Sequence, residues 1–194
     1  LIVCISNEGA GKEFQWHIEV DRQNSSVFLS DTKTRYQNPN ILNVFNNTKL
    51  PTALPSSVLL RGTNFGPYNT YITASYGISM KTLPEYYNDL KCYVTIPHIE
   101  INCSTAESKH GLKRTVLKWQ VNVEYQKSEL SADKRTAYEI PEITGFGNHI
   151  GMNTMGNETI NIFGTNFGPF GGEIEGYYGS FGNYSTYHSS LCTV

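Results

Sequence analysis

Cysteine is the residue type in this chain whose spacing points most directly to chemistry. Cys92 and Cys103 lie eleven residues apart around Tyr93–Asn102, a stretch that reads as strand, turn at Pro97, strand. Two cysteines facing each other across such a hairpin can be oxidised to a disulfide, and closing so short a loop would contribute about 3 kcal/mol on the chain-entropy argument. The alternative is a pair of buried thiols. The five histidines, His17, His98, His110, His149 and His188, have no spacing that would gather them on a metal, and neither Cys-x-x-Cys nor His-Glu-x-x-His occurs. Gly77-Ile78-Ser79-Met80-Lys81 lacks the second glycine of a nucleophile elbow. The glycine-rich run Gly62-Thr63-Asn64-Phe65-Gly66-Pro67 lacks the Lys-Ser/Thr of a phosphate loop, and no Asp-x-Asp calcium loop is present. The expectation is a protein with no catalytic residues, no cofactor and no metal, hence not an enzyme.

Covalent sugar is the second chemistry the residues allow. Asn-x-Ser/Thr occurs at Asn24, Asn46, Asn102, Asn157 and Asn183, where chance alone gives about three such triplets. Asn46, Asn157 and Asn183 sit in turn-rich segments and could project sugar into water. Asn102 abuts Cys103 and is expected to be poorly used.

The elements that must position these groups repeat. Gly62–Pro67 recurs unchanged as Gly164–Pro169, an offset of 102, and the lead-in Tyr36-x-x-Pro39-x-Ile41 matches Tyr138-x-x-Pro141-x-Ile143 at the same offset. Trp16–Ser25 aligns with Trp119–Ser128 at 103, Cys4 with Cys103 at 99, and Cys92 with Cys192 at 100. The blocks agree on one period of about 100 residues. Only residues 36–137 hold all the blocks in order. Residues 1–35 read as the C-terminal half of a unit, and residues 138–194 as the N-terminal half of another. With no initiator Met and no signal peptide, the chain is expected to be a segment of a longer polypeptide.

Within a unit the pattern is of short strands. Thr159–Phe163 alternates apolar with polar, and Trp119, Val121, Val123 and Tyr125 lie on one face of their strand, with Trp16, Ile18 and Val20 doing the same in the first unit. Trp119 and Trp16 are therefore expected in cores. Gly62, Asn64 and Gly66, with Gly164, Asn166 and Gly168, are expected to end a strand and supply the positive φ of a tight turn. About seven strands in about 100 residues describe a β-sandwich, so the fold class expected is all-β.

A Pro-x-Ile opening, an alternating strand into Gly-x-Asn-Phe-Gly, a later cysteine and a final alternating strand together resemble the IPT/TIG family of immunoglobulin-like domains, with Gly156–Gly168 the nearest stretch. The chain departs from the family pattern at Leu54-Pro55-Ser56-Ser57, where members often carry a Gly pair, and in lacking a Pro after Cys103. The Asn- and Tyr-rich composition with paired cysteines is similar to tandem-repeat surface proteins of protists. The resemblance implies tandem sandwiches, one complete domain flanked by two half-domains.

Net charge is −2, which disfavours nucleic acid as a partner, and Lys113-Arg114 and Lys134-Arg135 are too small to make a basic patch. A Rel-like use of the fold is disfavoured on the same ground. The apolar runs Leu1–Ile5 and Val58–Leu60 are far shorter than the roughly 20 residues of a membrane helix. The reading that follows is a structural component of an extracellular fibre or surface coat, glycosylated, with the chain itself as head-to-tail partner, joined either by covalent continuation or by strand complementation. Cys4 and Cys192 would then find their partners in adjacent copies. The alternative is the ectodomain segment of an adhesion or signalling receptor of the plexin type.

Overall fold

The computed structural model describes residues 1–25, 33–46, 48–78, 86–108, 117–132, 136–148, 150–172, 174–189 and 191–194. Among these, every regular element is a strand, as the Tyr, Thr, Ile and Val content leads one to expect. The first segment holds β1 (Glu19–Val20) and β2 (Gln23–Asn24). The middle holds β3 (Asn40–Phe45), β4 (Ser57–Thr63), β5 (Ile72–Gly77), β6 (Tyr86–Ile96), β7 (Glu100–Ser104), β8 (Lys118–Val123) and β9 (Gln126–Lys127). The last holds β10 (Glu142–Gly147), β11 (Asn161–Thr165), β12 (Gly176–Ser180) and β13 (Asn183–Ser189).

The seven middle strands form one antiparallel sheet in the order β3-β4-β7-β6-β5-β8-β9. β6 is long enough to serve two neighbours. Its first half pairs with β5, where Tyr87 lies opposite Tyr76, and its second half pairs with β7, where Val94 lies opposite Ile101. Val58 and Leu60 of β4 share one core with Trp119, Val121 and Val123 of β8, although three strands separate them in the sheet order. The sheet therefore folds over on itself at β6 and makes two facing layers, with β3 lying against β8. Burial on β4 and β8 alternates residue by residue, as a half-buried strand requires. On β3 the buried positions are Ile41 and Val44, three apart, because a bulge at Leu42 shifts the register against β4 and turns the face by one residue.

Aromatic packing ties the layers together. Trp119 is fully buried and stacks on Tyr76 at 4.4 Å between centroids, and its indole N–H donates to the Thr136 hydroxyl at 2.9 Å. Tyr76 packs in turn on Tyr87, which meets Tyr138 edge-on. Tyr76 and Tyr138 bond hydroxyl to hydroxyl, and Tyr138 donates to the Ala106 carbonyl at 2.9 Å. Burial pushes the Tyr76 phenol up to about 12, and pushes that of Tyr138 up as well. Tyr138, where the sequence period opens the third segment, thus has its side chain in the middle core. Its backbone pairs in parallel with Leu50.

The flanking segments repeat several pairings of the middle unit, although β12 and β13 keep only the Tyr178–Tyr187 pair of the β5-β6 ladder and carry their bulge on its other side. β10 and β11 pair in the register of β3 and β4 at an offset of 102, bulge included: Ile143 lies opposite Gly164 as Ile41 lies opposite Gly62. β1 and β2 repeat β8 and β9 at 103, each pair joined by a two-residue turn with positive φ at both positions, Asp21-Arg22 and Glu124-Tyr125. The Trp16 indole N–H donates to Thr34 as that of Trp119 donates to Thr136, and Tyr36 donates to the Asn7 carbonyl as Tyr138 does to that of Ala106.

Trp16 departs from expectation in one respect: it is 53% exposed where Trp119 is 0%. The cause is local. Trp119 is covered by Tyr76 of β5, whereas no described residue stacks on the face of Trp16. Trp119→Ala should cost about 3 to 5 kcal/mol, since it removes a buried aromatic and its hydrogen bond to the Thr136 hydroxyl. Urea denaturation of the two proteins checks this, and a loss under 1 kcal/mol or so would contradict it.

Candidate functional site

The disulfide hairpin carries the covalent cross-link found among the described residues. Cys92 and Cys103 are directly opposite on β6 and β7 and are bonded to each other. Pro97, which denies the ladder an N–H, starts the turn between the strands, and His98 takes the left-handed backbone at φ 64°. That turn grips the Gly62–Pro67 loop: His98 N–H donates to Gly66, Gly62 N–H to Ile99, and Phe65 N–H to His98.

The loop's glycines divide their roles. Asn64 and Gly66 have φ of 63° and 84°, and Asn166 and Gly168 have 60° and 95°, as a tight turn needs. Gly62 and Gly164 do not supply a positive φ, contrary to expectation. A Cβ there would lie 1.9 Å from the Asn40 carbonyl oxygen and 2.0 Å from that of Glu142, so the bulge requires glycine for close approach. The asparagines also staple the loops, with Asn64 Nδ2 donating to Asn38 at 3.0 Å and Asn166 Nδ2 to Ile140 at 3.3 Å.

Beside the hairpin, Arg61 Nε donates to Glu100 at 2.6 Å and Thr95 Oγ1 donates at 2.8 Å. These bonds hold the Glu100 carboxyl below the usual carboxylate range, the Arg61 bond most of all. Arg61 also lies over the Phe45 ring.

Of the sequon residues, Asn24, Asn46, Asn157 and Asn183 are exposed, whereas Asn102 is half-buried in β7 and accepts from Ser57. Asn46 and Asn157 have positive φ, as turn residues do. His17 is exposed against Asn24, His98 contacts Glu8 at 3.1 Å, and His188 stacks on Tyr177. His110, His149, Ser79–Lys81, Lys113-Arg114 and Lys134-Arg135 lie outside the described residues. Among the described residues no three His, Cys, Asp or Glu side chains gather as metal ligands. A cleft of about 280 Å³ runs between Pro51–Leu54 and the Gly164–Gly168 loop, at the joint between the middle unit and the last segment.

The open faces of the flanking segments were not foreseen in this detail. β10 and β11 expose Ile143, Phe146 and Ile162, whose counterparts Ile41, Val44 and Leu60 are buried. The first segment exposes Ile2 and Val20, counterparts of the buried Ile101 and Val123. β12 and β13 carry Tyr178 stacked on Tyr187 at 5.0 Å, the same separation as Tyr76 on Tyr87, yet both rings stand half in water. The recurrence of Tyr76 as Tyr178 at offset 102 was a sequence signal for this pair. Cys4 and Cys192 are free thiols, and β1-β2, β10-β11 and β12-β13 form three separate two-stranded sheets. No family model, no curated protein and no solved structure matches the chain.

Two outcomes are expected. Peptide mapping without reduction should recover Cys92 and Cys103 as one linked species, and full alkylation of both under non-reducing denaturation would contradict the bond. Glu100, lowered in the folded state, stabilises above the unfolded carboxylate range, and that contribution fades as pH falls through its folded pKa. Glu100→Gln should therefore lower stability near neutrality, with the gap to the native protein closing in acid. A gap that stays constant with pH would refute the assignment.

Proposed function

We propose that this chain is a structural component of an extracellular fibre or surface coat, built from head-to-tail immunoglobulin-like units of the IPT/TIG kind. The observation that carries this reading is the recurrence in the flanking segments of the β3-β4 register, the β8-β9 turn and the Trp and Tyr side-chain bonds of the middle unit. One module repeated at a fixed offset, with its joints repeated too, is the construction of a rod rather than of a site. The order β3-β4-β7-β6-β5-β8-β9, with β6 shared between two layers, supports the immunoglobulin-like assignment. The Cys92–Cys103 bond favours an oxidising compartment. The exposed turn asparagines favour sugar on the surface of the rod.

In this role the work is mechanical. Disulfides, buried aromatic stacks and stapled turns hold each unit, and the chain passes from one unit to the next at Tyr36 and Tyr138. Antibody against residues 36–138 should label unpermeabilised cells of the source organism in a fibrous or coat-like pattern. Material from that source should lose mass when N-glycans are removed, at one or more of Asn46, Asn157 and Asn183. Label confined to the cell interior would overturn the proposal.

A further inference from the structure

The middle unit is a template for what the flanking segments lack. Its aromatic core is a quartet: Trp119 on Tyr76, Tyr76 on Tyr87, and Tyr138 closing over Tyr87 with its hydroxyl on that of Tyr76. The flanking segments divide the same quartet between them. The first has Trp16 and Tyr36, the last has Tyr178 and Tyr187, and at these residues each segment repeats a contact of the template. Tyr178 lies opposite Tyr187 as Tyr76 lies opposite Tyr87. The Trp16 indole is oriented by Thr34, and the Tyr36 hydroxyl by the Asn7 carbonyl.

The remaining features divide the same way. Cys192 corresponds to Cys92 and Cys4 to Cys103, which are register partners in the template. Val194 and Leu1 correspond to Val94 and Glu100, which flank the template's hairpin turn.

We infer that the last segment of one copy of this chain completes a sandwich with the first segment of a second copy, the two contributing complementary halves of one aromatic core and Cys192 bonding to Cys4 across the join. The inference rests on the head-to-tail reading above and specifies its interface. Two-stranded sheets with an exposed apolar face are marginal alone, and each half offers what the other is missing. Trp16 covers Tyr178 as Trp119 covers Tyr76, and the Tyr36 hydroxyl reaches that of Tyr178. The new bond forms by exchange with a disulfide oxidant such as oxidised glutathione. The two thiols give up two electrons and two protons, and two molecules of glutathione thiol leave. Because front and back halves differ, the contact is heterologous and continues copy after copy.

The experiment mixes equal amounts of ¹⁵N-labelled and unlabelled chain with oxidised and reduced glutathione. Sedimentation should show mass rising with concentration. The Cys4–Cys192 peptide should appear in a heavy-light form as abundant as its heavy-heavy and light-light forms together. The difference in fluorescence between the native chain and Trp16→Phe isolates Trp16, and its emission should shift to shorter wavelength on assembly. Tyr178→Ala should raise the concentration needed for half-assembly about tenfold or more. Its middle unit, monitored by the Cys92–Cys103 peptide and Trp119 fluorescence, should be unchanged. Monomers with both thiols alkylated, a linked peptide of uniform label only, or undiminished assembly of Tyr178→Ala would each overturn the inference. Two copies fused through Thr-Ile-Pro-His-Ile, the sequence of residues 95–99, separate its failure from that of the parent reading. A folded fusion bonded at Cys192 and Cys4, alongside monomers of the single chain, removes only assembly between separate copies. A fusion with both thiols free removes the head-to-tail reading as well.

Discussion

A single face-to-face contact, Trp119 on Tyr76, anchors the core of the middle unit from within one of its two layers. Tyr76 lies on β5 and Trp119 on β8, so the stack alone is a cross-strand pair. What extends it through the core is the reach of the phenol: its hydroxyl meets Tyr138 and accepts from the Ala106 N–H. A buried hydroxyl without partners would cost the unit heavily. Here it serves as donor and acceptor, and through it the strand ends beyond β7 and β9 are drawn onto the same core.

That arrangement explains why the flanking segments look as they do. Each keeps its internal bonds, because bulge, turn and capping contacts are local and form from the segment's own residues. Each loses its burial, because burial is supplied by the strands opposite. Ile162 and Leu60 occupy matching positions on β11 and β4, and only Leu60 has a facing layer. Local geometry is a property of the repeat, whereas a core is a property of two halves.

The same division governs how far the sequence could be read. The period, the all-β class and the strand-turn-strand passage between Cys92 and Cys103 were legible because they follow from spacing and residue type. The exposure of Trp16 was not, since alternation states which face a side chain joins but not whether anything covers that face. Gly62 was read as a turn residue, although the Asn40 carbonyl is what excludes a side chain there. A contact between residues on different strands leaves no mark on periodicity. Tyr138 was misplaced by the motif it heads: the lead-in that starts one unit's strand ends the previous unit's core.

That placement bears on how the chain would carry tension. The backbone on either side of Tyr138 pairs in parallel with Leu50, with Leu50 N–H donating to Ala137 and Glu139 N–H to Leu50. A pull along the polypeptide enters the unit near β3 and leaves just past this bridge. Parallel segments drawn by opposite ends slide along their length, so the load falls on these bonds side by side and they yield together rather than one after another. The Tyr138 ring, set in the core beside them, must be dragged out in the same movement.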